Sequence, residues 1–174
     1  MPIVASTDSI LSPIAIYLEK ILTPLIQSSK SFLLDTGSIL EVLRGLSNIP
    51  PNALLVSLDF GNFSLSKIDI DQTNLCIELL TLVLSSNHFI FQDEFYLQIR
   101  GTAMGYNLAL PYANCYMADF EESKIYPNNL YCENVLLWKR YINNIFCIRG
   151  RTLESLLSFF DLLNSSWPGI NLTM

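Results

Sequence analysis

The chain has 174 residues, 51% of them hydrophobic, and a net charge of −6 at pH 7. That length suits about one domain of ~100–200 residues with a core of its own, and no run reaches the ~18 consecutive apolar residues that a membrane helix needs. The acidic balance weighs against a surface built only to grip a polyanion, because Lys and Arg make the phosphate contacts that dominate nucleic-acid affinity.

The N-terminus lacks the basic segment and compact apolar stretch of a secretory signal, and its first charge is Asp8, which points to an intracellular protein of the nucleus or cytoplasm. Cys76, Cys115, Cys132 and Cys147 stand among apolar neighbours without C-x-x-C spacing, the pattern of buried free thiols rather than of disulfides or zinc ligands. Asn62-Phe63-Ser64, Asn164-Ser165-Ser166 and Asn171-Leu172-Thr173 match the N-glycosylation pattern, which carries no weight outside the secretory route.

Ser12-Pro13 reads as an N-cap followed by proline at the first helical position, and Ile14, Tyr17, Leu18, Ile21, Leu22 and Leu25 recur at helical spacing, with a bend at Pro24. Asp35 or Thr36 caps a second helix that carries Ile39, Leu40, Val42, Leu43 and Leu46 and ends before Pro50-Pro51. Ala53 to Phe60 is a continuous apolar run, the mark of a buried central strand, and delivers the carboxylate of Asp59 at its end.

Gly61 to Asp71 has no period, and Asp71 or Thr73 then opens a helix through Ile77, Leu80 and Leu84. Phe89-Ile90-Phe91 and Phe95-Tyr96-Leu97 flank Gln92-Asp93-Glu94 as a hairpin, with His88, the only histidine, in a structural place at its edge. Asn107 to Tyr126 is helical in character despite Pro111, and Glu121, Glu122 and Lys124 mark its solvated end.

Val135 to Trp138 and Ile145 to Ile148 form a second hairpin around the polar turn Tyr141-Ile142-Asn143-Asn144. Thr152 caps a last helix with the stripe Leu153, Leu156, Leu157, Phe160 and Leu163, and Ile170 to Thr173 reads as a strand. Two helices, strand, helix, hairpin, helix, hairpin, helix and strand amount to an α+β domain, an antiparallel sheet packed on helices.

Asn143-Asn144 has two readings. Asn tolerates positive φ and suits tight hairpin turns; alternatively, a polar pair at a hairpin tip occupies the place where polymerases hold metal-binding Asp residues. Two-metal nucleotidyl transfer needs carboxylates from separate strands around ions ~3.5–4 Å apart. Asp59 supplies one such carboxylate, whereas Asn143 and Asn144 offer carbonyl oxygens without charge. Gly101-Thr102-Ala103-Met104-Gly105 would admit a template base or nucleotide close to the backbone, or be a plain loop.

Pro2-Ile3-Val4, Leu55-Val56-Ser57-Leu58-Asp59, Gly101-Thr102-Ala103-Met104-Gly105 with Pro111-Tyr112-Ala113-Asn114, Trp138-Lys139-Arg140-Tyr141-Ile142 and Ile145-Phe146 together resemble the reverse transcriptases of Penelope-like retroelements over nearly the whole chain. The resemblance implies one reverse-transcriptase-like domain over 1–174, with fingers-side helices in 1–52, the polymerase right-hand palm in 53–174, and no thumb or endonuclease. It implies Asp59 as a catalytic metal carboxylate for Mg2+ or Mn2+, Asn143 and Asn144 at the other catalytic positions, and Gly101, Thr102, Ala103, Met104, Gly105 and Tyr141 as nucleotide- and template-binding residues. RNA template and DNA primer are the implied partners.

The departures fall on the active site. The family's Tyr-Ile-Asp-Asp is Tyr141-Ile142-Asn143-Asn144 here, its aromatic sugar gate is Ser64, the link Gly61 to Asp71 is shortened, and its Arg before Pro-Ile-Val is Met1. The expectation is a palm fragment from a decayed or inactivated element copy with little or no polymerase activity. A non-catalytic nucleic-acid-binding remnant, or a protein-interaction remnant that self-associates through uncovered apolar surface, is the alternative.

Overall fold

A computed structural model describes residues 10–62, 74–98, 107–127, 134–167 and 169–174. Its elements are α1 (Ser12–Gln27), α2 (Thr36–Gly45), β1 (Leu54–Asn62), α3 (Asn74–Ser85), β2 (His88–Phe91), β3 (Glu94–Leu97), α4 (Ala109–Lys124), β4 (Val135–Tyr141), β5 (Asn144–Arg149), α5 (Leu153–Ser166) and β6 (Asn171–Thr173). The order is the one the sequence predicts, and the class is mixed α+β: five described helices, a four-stranded antiparallel sheet in the order β4-β5-β1-β6, and a separate two-stranded ribbon, β2-β3. No described helix is long and apolar enough to cross a membrane. Two compact units make up the chain, Met1–Ile26 with Leu65–Tyr116 and Gln27–Ser64 with Met117–Met174.

In the first unit, the Leu11 carbonyl accepts from the Ala15 N–H at 3.0 Å, so Ser12 is the first helical residue of α1 rather than its cap. The buried stripe is Ala15, Leu18, Leu22 and Ile26, while Tyr17 and Leu25 of the expected stripe are exposed. A helix that is apolar on most of its faces leaves the choice of buried face to its neighbours, and here that face lies a fraction of a turn away. Pro24 lies within the helix.

α3 buries Leu80 and Val83 while Ile77 is exposed, and the cap candidates Asp71 and Thr73 lie outside the described residues. β2 and β3 join through Gln92 and Asp93 at φ 52° and 61°, the left-handed pair of a type I′ turn, and Glu94 already pairs with Phe91. The turn is therefore two residues long instead of three. His88 is exposed, with Nδ1 3.0 Å from the Ser86 carbonyl oxygen.

In the second unit β1 is an interior strand, paired with β5 on one side and β6 on the other. Val56 and Leu58 are buried, whereas Leu55, Ser57 and Asp59 are exposed, so one face of the apolar run is open rather than both being covered. An antiparallel sheet permits this, since only one face must pack on a core. That open face is where β1 presents its carboxylate.

Both cap readings in this unit hold. Asp35 Oδ1 accepts from the Ser38 N–H at 2.8 Å and the Ser38 hydroxyl at 2.9 Å at the start of α2, and the backbone bond first, then the hydroxyl, holds its carboxyl below the usual range. Thr152 Oγ1 accepts from the Ser155 N–H at 3.4 Å at the start of α5, which buries Leu156, Phe159, Phe160 and Leu163 and leaves Leu153 and Leu157 exposed. Asn164 reaches from α5 to β6, donating to the Leu172 carbonyl at 3.1 Å and accepting from the Leu172 N–H at 2.7 Å.

Cys76 and Cys115 are half-buried and Cys147 is buried, none of the three in a disulfide; Cys132 lies outside the described residues. Burial pushes the Cys147 thiol up to about 12.

Candidate functional site

The tip of the β4–β5 hairpin meets the end of β1. Asp59 lies opposite Asn144 in the β1–β5 register, and Tyr141 lies opposite the same Asn144 in the β4–β5 register. Asn143 Nδ2 donates to Asp59 Oδ1 at 2.9 Å, and Asn144 Nδ2 donates to Asn143 Oδ1 at 3.3 Å. Asp59, Asn143 and Asn144, drawn from distant parts of the sequence, thus form one chain of hydrogen bonds. On the far side, the Thr173 hydroxyl of β6 donates to the Asp59 carbonyl at 3.4 Å.

The turn does not use its asparagines for left-handed backbone. Ile142 takes φ 56°, and neither Asn143 nor Asn144 has positive φ. A β-branched side chain is poorly suited to that region, where strain is on the order of 1–3 kcal/mol. Turn chemistry therefore does not account for the Asn pair. The residue after Ile142, Asn143, is the one bonded to Asp59.

The donor set at the tip is poor in negative charge. Asp59 is the single carboxylate among the three hydrogen-bonded residues, its Oδ1 accepts from Asn143, and the Asn143 carbonyl oxygen accepts from Asn144. Hard cations such as Mg2+ and Mn2+ are held through anionic oxygens, and of these three residues only Asp59 would offer one, beside the neutral amide oxygens of Asn143 and Asn144. Among the described residues no group of three or more His, Cys, Asp or Glu is placed to hold a metal.

Tyr141 is partly exposed and lines a pocket of about 200 Å3 beside the tip, together with Asp35, Thr36, Ser57, Asn144 and Phe146. Of the other expected nucleotide- and template-binding residues, Gly101, Thr102, Ala103, Met104 and Gly105 lie outside the described residues, as do Ser64 and Pro2-Ile3-Val4. Tyr112, from the stretch after the glycine segment, is buried, which pushes its phenol up to about 12 with Cys115 and Tyr116 nearby.

The sequence reading missed a polar cluster directly behind the tip. Glu121 is fully buried instead of solvated, and Arg140 is 2% exposed. Arg140 Nε donates to Glu121 Oε1 at 2.9 Å and Nη2 to Oε2 at 3.3 Å, Trp138 Nε1 donates to Oε1 at 3.1 Å, and the Ser31 hydroxyl donates to Oε2. Four donors thus meet the four acceptor positions of one carboxylate. The Arg140 main chain also joins the segment before α2, its N–H donating to the Ser31 carbonyl at 2.8 Å and its carbonyl accepting from the Leu33 N–H at 3.0 Å.

One signal for this cluster was present in the chain. Lys139 and Arg140 are adjacent in a strand, so one of them must face the core, and a buried cation requires an anion. Burial raises the Tyr126 phenol well above its ordinary range, with Glu121 and Glu122 adding to the effect, and its hydroxyl donates to the Trp138 carbonyl at 3.0 Å.

Comparison with models of known protein families and with curated proteins finds no match for the chain.

Proposed function

We propose that the chain is a reverse-transcriptase-type palm fragment of a retroelement whose catalytic centre no longer holds metal. The observation that carries the reading is the meeting of Asp59 with Asn143 and Asn144 at one hairpin tip, joined by the 2.9 Å and 3.3 Å hydrogen bonds. The resemblance assigns these same three positions to the metal carboxylates. Three carboxylates at such distances would repel one another and demand a cation, whereas one carboxylate and two amides satisfy each other without one.

The charge lost at the tip sets the size of the defect. A unit charge ~4 Å from a partner is worth about 4 kcal/mol at an effective dielectric of ~20, and more against a divalent ion. Since each ~1.4 kcal/mol is tenfold in rate, two missing carboxylates reduce nucleotidyl transfer by orders of magnitude. Asp59 remains able to accept hydrogen bonds from the sugar hydroxyls or amino groups of a bound nucleic acid, which leaves binding without chemistry as the retained activity.

The test is primer extension on an RNA template with a DNA primer and Mg2+ or Mn2+, by the natural chain and by the Asn143→Asp, Asn144→Asp double variant. The natural chain should extend nothing and the variant should show extension above background. Extension by the natural chain removes the inactivity; a folded variant that neither extends the primer nor binds the hybrid removes the polymerase ancestry.

A second reading is favoured by the β2–β3 ribbon, on which Ile90, Phe91, Phe95 and Leu97 are all exposed. An apolar ribbon of this kind suits association with a second copy or another protein. Sedimentation showing a monomer at the highest attainable concentration removes self-association.

A further inference from the structure

The guanidinium that closes the buried cluster also reaches toward the hairpin turn. Arg140 Nη1 donates to the Ile142 carbonyl at 3.2 Å, while Nε and Nη2 are fixed on Glu121. Ile142 is the residue at φ 56°, and the next residue, Asn143, is the one bonded to Asp59. A strained turn persists only where its surroundings over-determine it. Among the described residues the Arg140 fork is the side chain that grips this one from inside the protein.

We infer that Arg140 is a positioning residue for the hairpin tip, locked by Glu121 and holding the Ile142 carbonyl so that the turn stays left-handed and presents Asn143 to Asp59. The guanidinium geometry suits this task. Its planar fork engages the two carboxylate oxygens side-on and still directs a third N–H along a different line, which a lysine ammonium on a flexible stem does not do. Glu121 in turn cannot rotate, because Trp138 and Ser31 occupy its remaining acceptor positions. Helix α4, the segment around Ser31 and strand β4 thereby fix one atom, the Ile142 oxygen.

The functional meaning of this device rests on the polymerase reading of the tip. Its geometry does not, and its test reads hydrogen bonds rather than metal or nucleic acid, so the two ideas fail separately.

The experiment is NMR on the full chain, following the Asn143 side-chain amide, the Arg140 Nε–H and the backbone couplings of Ile142. Arg140→Lys should move the Ile142 couplings away from left-handed values and speed exchange of the Asn143 amide protons with water by roughly tenfold or more, the scale of losing a hydrogen bond to a charged group. Ile142→Gly removes the strain, since glycine adopts positive φ freely. In that background Arg140→Lys should leave the Asn143 amide unchanged while still lowering the melting temperature. A merely structural ion pair predicts that Arg140→Lys, made in the natural chain, lowers the melting temperature and leaves Ile142 and Asn143 undisturbed, a result that overturns the proposal. If Arg140→Lys does not fold, Trp138→Phe removes one donor from Glu121 and keeps the ion pair. The Arg140 Nε–H and Asn143 amide should then shift together, and a shift of the first alone overturns the proposal equally.

Discussion

On the palm reading proposed above, placing two carboxylates at the hairpin tip should make the stability of the chain depend on a divalent metal. Asn143→Asp replaces the 2.9 Å donor–acceptor contact with Asp59 by two carboxylate oxygens facing each other. Two unit charges ~3 Å apart repel by about 1.4 kcal/mol at the dielectric of water and by several times that at a lower one. Asp59 is exposed, so the lower figure applies. Adding the lost hydrogen bond, net ~0.5–1.5 kcal/mol, gives a destabilisation of about 2–3 kcal/mol for the Asn143→Asp, Asn144→Asp variant in EDTA. At ~2–4 °C per kcal/mol for a chain of this size, the melting temperature falls by about 4–12 °C. Mn2+ at a hundred times its dissociation constant returns about 2.7 kcal/mol by mass action and so most of that loss. The assay is a thermal melt followed by circular dichroism, with EDTA and with Mn2+, on both proteins. Equal responses to Mn2+ in the two proteins, or none in either, would refute the argument that the amides stand in for metal carboxylates.

Four further outcomes are expected. Arg140→Ala, which strands Glu121 as a buried unpaired carboxylate, should lower the unfolding free energy by about 3–5 kcal/mol, while the Glu121→Leu, Arg140→Met pair should lose much less, as a denaturant titration would read. Ile142→Gly should raise stability by roughly 1 kcal/mol, the relief of left-handed strain outweighing the entropy of glycine. The raised Cys147 thiol and Tyr112 phenol, both near 12 against ordinary values of 9.0 and 10.0, stay protonated in the fold while the unfolded chain ionises. Their stabilisation is complete below pH 9 and is lost between there and pH 12, so the melting temperature should decline steadily over that range. Cys147 should also resist alkylation until denaturant is added, whereas Cys76 and Cys115 react in the native state.

Local signals were read well because their causes are local. Asp35 and Thr152 cap their helices since a short side-chain oxygen reaches the N–H three residues on whatever the rest of the chain does. Both hairpins follow from polar turns between apolar runs. What escaped the sequence depends on partners far along the chain. Glu121 looked solvated because Glu122, Ser123 and Lys124 follow it and continue a polar helix end; its true neighbours, Arg140 and Ser31, are 19 and 90 positions away. The openness of one face of β1 was hidden because Leu55 is as apolar as Val56, though 67% exposed. At the tip, the sequence named the three residues that meet but offered asparagine as the residue suited to positive φ, and only the backbone reveals that Ile142 adopts it.

The place of β1 in the sheet has a consequence for how the chain is made. Its contacts with the hairpin tip span 84 positions and those with β6 span 114. A ribosome adding ~5–20 residues per second leaves roughly 6 to 23 seconds between the emergence of β1 and that of β6. For that interval Leu54, Leu55, Val56 and Leu58 are an apolar strand with two free edges, the kind of segment that pairs with other nascent chains or is held by chaperones. The central strand is therefore the first strand of the sheet to be synthesised and among the last to be paired, which makes yield during synthesis sensitive to β6, the three-residue strand that closes its second edge.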